Sequence, residues 1–87
     1  MADRAFSLNI LTPEKPVYTG DAVAISVPGW EGRLGVLAGH APLISYLKSG
    51  AIEVTPVSGK KISYSARGNG FLEVFNNKVV LLMDAVD

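Results

Sequence analysis

Between Val27 and Gly50 the chain reads VPGWEGRLGVLAGHAPLISYLKSG, and this stretch rules out a helix across it. Gly29, Gly32, Gly35 and Gly39 recur every three or four residues, and Pro28 and Pro42 interrupt it twice more. Glycine carries the largest entropic cost in a helix, and proline removes a backbone donor. The stretch holds five of the nine glycines, the one Trp and the one His. It therefore predicts a loop-rich region, with short strands at Leu34–Leu37 and Leu43–Leu47. Long connections in compact domains are usually functional.

The flanking sequence alternates with a period of two. Phe6, Leu8 and Ile10 fall on one face of a first strand, and Val23, Ile25 and Val27 on one face of another. Ile52 and Val54, then Ile62, Tyr64 and Ala66, repeat the pattern, which is that of a half-buried strand. Thr12–Pro16, Gly20–Asp21, Pro28–Gly29, Ser58–Gly59 and Arg67–Gly70 read as turns. Val17–Tyr18 is then a short strand of its own. Phe71–Phe75 and Val79–Ala85 form a terminal hairpin across Asn76–Asn77, residues that tolerate positive φ. Both faces of that hairpin read as largely buried. Eight to ten short strands with turn signals every 8–12 residues predict an antiparallel β-sandwich or barrel. With 87 residues and no linker, residues 1–87 form one domain.

Composition narrows the function. Eight basic and eight acidic side chains cancel, so there is no basic excess for nucleic acid or anionic lipid. Without Cys there is neither a disulfide nor a zinc–thiolate site, which fits a cytosolic protein. No apolar run reaches the ~18–20 residues of a membrane span, and the N-terminus has no signal-peptide core.

The candidate chemistry is sparse. Gly29–Gly35 lacks the Gly-Lys-Ser/Thr of a phosphate loop and leads into no helix. His40 is without a nucleophile elbow or a ligand cluster. No catalytic, cofactor-binding or metal-binding set emerges. Glu31 and Arg33 flank Gly32, where they can pair with each other or meet polar groups on a partner. Trp30 either packs on the loop base or stands out as an interface anchor. A sugar or other small-molecule pocket would draw on Trp30, His40 and Tyr46.

Several segments carry a family resemblance. Val27-Pro28-Gly29, Gly32, Leu34-Gly35-Val36-Leu37 and Gly39-His40-Ala41-Pro42-Leu43 closely resemble the N-terminal domain of the ε subunit of F-type ATP synthases. Gly50-Ala51-Ile52, Gly70-Phe71-Leu72-Glu73-Val74 and the run Leu81–Ala85 extend the likeness over essentially the whole chain. The resemblance implies a ten-stranded β-sandwich that is not itself an enzyme and takes no cofactor. It implies a rotor subunit that binds γ and the c-ring, coupling proton-driven rotation to ATP synthesis. It further implies a peripheral place on the cytoplasmic face of a bacterial inner membrane, or the equivalent side of another energy-transducing membrane. By the same resemblance Trp30, Glu31, Gly32 and Arg33 face the c-ring, while Thr12, His40 and Ser45 lie towards γ. Relatives often carry an acidic residue where this chain has Arg33, which leaves Glu31 or Arg33 as the contact. Typical relatives continue into a two-helix domain; a chain ending at Asp87 is expected to lack the inhibition and ATP sensing of those helices.

Overall fold

The computed structural model describes residues 4–87, so the first three residues of the expected 1–87 domain lie outside the described residues. Alternation becomes strand wherever one face can be buried. The strands are β1 (Phe6–Leu11), β2 (Pro16–Gly29), β3 (Gly32–Leu37), β4 (Leu43–Leu47), β5 (Gly50–Pro56), β6 (Ile62–Phe75) and β7 (Lys78–Val86). No helix occurs among the described residues, so none is long and apolar enough to cross a membrane.

Among the described residues there are seven strands, where the pattern gives eight to ten and the resemblance ten. Gly20–Asp21 and Arg67–Gly70 do not turn, which joins Val17–Tyr18 to Ala22–Val27 and Ile62–Ala66 to Phe71–Phe75, and Pro28–Gly29 is the paired end of β2 rather than a turn. At Gly20–Asp21 the backbone stays extended, paired with Leu8 and Ser7 of β1. At Arg67–Gly70 β6 continues through a bulge, since Arg67 pairs with Ala85 but Gly70 with Met83. One extra residue is accommodated there. Gly68 takes a φ of 85°, and the Asn69 N–H donates to Asp84 Oδ2 at 2.9 Å. In both places a neighbouring strand overrides the local turn preference. The pairing is also not wholly antiparallel, because β1 and β7 run parallel.

These two long strands build the sandwich. One layer is β4, the C-terminal half of β6, β7, β1 and the N-terminal half of β2. The other is β3, the C-terminal half of β2, β5 and the N-terminal half of β6. Between them lies a core that includes Phe6, Leu8, Ile10, Val27, Leu47, Ile52, Leu72 and Leu81, with no buried polar residue among those described.

The β6–β7 hairpin turns on Asn76 and Asn77, with φ of 50° and 61°. Positive φ at both positions is the turn that matches strand twist. Asn77 also ties three segments together. Its Oδ1 accepts from the Gly39 N–H at 2.8 Å, its Nδ2 donates to Ala5 O at 2.8 Å, and its carbonyl accepts from the Ser7 N–H. Asn77→Ala is expected to cost about 2 kcal/mol, from lost hydrogen bonds and the left-handed backbone. Asn77→Gly, which restores the backbone but not the bonds, should recover part of it. Urea unfolding of the two variants measures the difference.

Candidate functional site

Trp30 and Glu31 are the two residues of the β2–β3 hairpin turn, closed by the pair Gly29 and Gly32. Gly32 has a φ of 133°, a conformation that side chains with a Cβ rarely adopt. The turn is tied to β4: the Trp30 N–H donates to Tyr46 O at 3.1 Å, and the Lys48 N–H to Pro28 O at 2.9 Å. Trp30 does not pack under the loop; its side chain is 57% exposed. Glu31 stands at the tip, and among the described residues it forms no ion pair.

Arg33 does not pair with Glu31. Its guanidinium turns back over the sheet and donates to Ala51 O at 2.6 Å and to Ser26 Oγ at 2.8 Å. A cleft runs between this turn and β4, lined by Trp30, Glu31, Arg33, Ile44, Ser45 and Tyr46. Ser45 therefore sits next to the Trp30–Arg33 turn rather than at a separate end.

Thr12 and His40 lie elsewhere. Thr12 closes the β1–β2 turn, its Oγ1 donating to Lys15 O at 2.9 Å and accepting from the Lys15 N–H at 3.2 Å. It borders a polar hollow shared with Arg67, Asp84 and Asp87. There the Arg67 guanidinium donates to the Asp87 carboxylate at 2.7 Å. That hydrogen bond, and then the opposite charge, hold the Asp87 carboxyl below its usual range. The pair's small contribution is thus present above the ordinary carboxylate range and lost as pH falls through the depressed value. His40 lies in the β3–β4 connection, half-buried, with Nδ1 2.7 Å from Ala41 O. The neighbouring Gly39 is bound to the Asn77 turn.

A further surface escaped the sequence reading. The terminal hairpin is not covered on both faces. Tyr46, Phe71, Leu82 and Leu11 stand side by side across β4, β6, β7 and β1. Tyr46 is 70% exposed, and Ile44 and Phe75 are exposed beside this row. Pro13, Tyr46, Phe71, Leu82 and Met83 line a shallow apolar groove there. The signal was legible in β4, where Leu-Ile-Ser-Tyr-Leu is apolar at both parities. No group of three or more His, Cys, Asp or Glu able to hold a metal occurs among the described residues.

A two-layer sandwich with an exposed Trp30–Glu31 turn and an apolar outer row defines a small β-sandwich module. The chain belongs to the family described as "ATP synthase, Delta/Epsilon chain, beta-sandwich domain", which matches residues 5–87. It is 38% identical over 85 residues to the ATP synthase epsilon chain of Chlorobium limicola, covering 98% of this chain and 96% of that one. The epsilon chain of Chlorobaculum tepidum is 39% identical over the same shares. That of Pelotomaculum thermopropionicum is 40% identical over all of this chain, which spans 63% of it. Among solved structures, one in the Euglena gracilis mitochondrial ATP synthase assembly "OSCP/F1/c-ring in rotational state 1" superposes with a TM-score of 0.87 at 26% identity. It is matched over 100% of this chain and 54% of its own. A chain of the Tetrahymena thermophila mitochondrial ATP synthase central stalk and c-ring shares the fold, with a TM-score of 0.79 at 14% identity, over 100% of this chain and 69% of its own.

Proposed function

We propose that this chain is a non-catalytic rotor component of a proton-translocating F-type ATP synthase. It binds γ and the c-ring and so couples proton-driven rotation to ATP synthesis, peripheral on the cytoplasmic face of a bacterial inner membrane or its equivalent. The observation that carries the reading is the uncovered row Tyr46–Phe71–Leu82–Leu11, on a chain that matches the family almost end to end. Most exposed apolar residues on a monomer are scattered singly, whereas a contiguous patch marks an interface.

The three γ-facing candidates frame this one layer. Thr12 directly follows Leu11, Ser45 lies between Ile44 and Tyr46, and His40 leads into β4 from the Asn77 end. γ therefore docks on the outer face of β4, β6 and β7, with Thr12 and His40 at its margins; the Ser45 side chain lies on the other face of β4, across from the buried Leu72. The Trp30–Arg33 turn meets the c-ring. Within it Glu31 is the contacting charge, because Arg33 spends its guanidinium on Ala51 and Ser26. The alternative small-molecule pocket is not assembled: Trp30 and Tyr46 share a cleft, but His40 is not in its wall.

Phe71→Glu, on the exposed side of β6, is expected to keep the β-sheet circular dichroism spectrum and to abolish co-purification with γ at micromolar concentration. Glu31→Lys should leave γ binding intact and reduce recovery of the c-ring with the γ complex several-fold. Full γ binding by Phe71→Glu would overturn the assignment of this face, and failure of the unaltered chain to bind γ would overturn the rotor reading.

A further inference from the structure

We propose that β3 is an acceptor edge for an extended segment of a partner protein, which adds to the sheet as a further strand. Among the described residues β3 pairs only with β2, leaving its other side open. The register shows which backbone groups face outward. Pro28 is opposite Arg33, and the Pro28 carbonyl points away from β3, since it accepts from the Lys48 N–H. In an antiparallel ladder opposite residues both face inward or both face outward, in alternation. Arg33 and Gly35 therefore turn both N–H and C=O to the open side, and Leu37 turns its N–H there, its carbonyl already accepting from the His40 N–H at 3.2 Å. That leaves two complete docking positions and the donor of a third.

The usual defences of an edge are missing. Such edges are commonly guarded by proline, a bulge or a charged side chain. β3 contains no proline, and its register with β2 runs without a shift. Its one charge, Arg33, is turned back onto Ala51 and Ser26. Leu37 is 65% exposed on the same face. Gly35, between them, leaves that face bare, and even a Cβ there would come no closer than 4.0 Å to Ile25 O.

These features select the occupant. If two copies of β3 paired, the longest register compatible with the outward groups would set Arg33 against Leu37 and Gly35 against Gly35. Two glycines would then face each other at the centre, with no side chains to pack. A large aromatic residue facing Gly35 instead covers the bare site, as aromatic residues do opposite sheet glycines. The partner segment is thus extended, apolar on alternate residues, and aromatic opposite Gly35.

Amide exchange by NMR on the whole chain tests this. The probe is an eight-residue peptide alternating valine and threonine, with a central tyrosine and a lysine at each end. In the free chain the amides of Leu34 and Val36 should exchange slowly and those of Arg33, Gly35 and Leu37 quickly. Saturating peptide is expected to slow the latter three at least tenfold, and a glycine-centred peptide should bind at least tenfold more weakly. Gly35→Pro deletes only an outward donor, a place where edge strands tolerate proline. It should abolish the protection while the β-sheet spectrum is kept. Leu37→Lys, an exposed substitution, provides the same readout should the proline variant not fold. Three outcomes would overturn the proposal: no protection at these amides, protection centred on Ile44 of β4 instead, or protection that rises with protein concentration without peptide.

Discussion

Gly70→Ala is expected to be the most damaging single-methyl change in the chain. Gly70 sits where β6 leaves its bulge and passes closest to β7. A Cβ built there overlaps the Leu82 carbonyl oxygen and comes within 2.5 Å of Met83 Sδ. The first of these is backbone, which cannot rotate away as a side chain tip can. The two strands must separate, and with them the widest ladder in the fold. Overpacking a well-filled interior costs about 1–3 kcal/mol, occasionally more. With backbone as the obstacle, a loss of at least about 3 kcal/mol is expected. For a domain of this size that corresponds to a fall in Tm of more than about 12 °C. Gly35→Ala is the control, because its Cβ meets open space; its Tm should stay within a few degrees. Thermal unfolding of the pair followed by circular dichroism decides the matter, and equal Tm values would refute the close approach of β6 and β7.

Leu81→Ala should produce a loss of similar size by the opposite route. Leu81 is fully buried at the middle of β7, flanked across the ladder by Leu72 of β6 and Ile10 of β1. Truncation removes the transfer free energy of the lost carbons and leaves a cavity, together about 3–4 kcal/mol. Such a chain has roughly 5–10 kcal/mol of stability in all, so a large part of it would go. Leu82→Ala, one residue later on the outer face, should cost under about 1 kcal/mol, because that face is only half covered. The same residue type on the same strand thus separates burial from strand propensity. Urea midpoints measured on both variants provide the comparison.

What could be read from the residues divides along one line. Features set by local chemistry were legible. The Phe6–Ile10 alternation, the Asn76–Asn77 turn and the strands at Leu34–Leu37 and Leu43–Leu47 depend on side-chain period or on backbone freedom within a few positions. Features set by a distant partner were not. Gly20–Asp21 looks like a turn until Leu8 and Ser7 pair with it, and Arg67–Gly70 looks like a break until Asp84 receives the Asn69 N–H. Each of these joins two expected short strands into one long strand, β2 and β6. The candidate site shows the same division. The glycines and Pro28 signal a turn, but one read at Pro28–Gly29 rather than Trp30–Glu31, with Trp30 open between packed and exposed; and nothing local reveals that Arg33 reaches Ala51, eighteen residues away. The apolar row across four strands depends on register, which no single segment records.

The length of β2 bears on how such a module would carry load. Its 14 residues run as one strand from beside the Thr12 turn to the Trp30–Glu31 turn, passing from one layer into the other within a fold 39 Å in its longest extent. Under the proposed arrangement one end borders the shaft and the other meets the ring. Torque passing between them would travel along covalent backbone, in series with no side-chain contact that could creep. The layers on either side would brace this member against buckling. A stiff tie between two moving parts would thus be supplied by the course of a single strand.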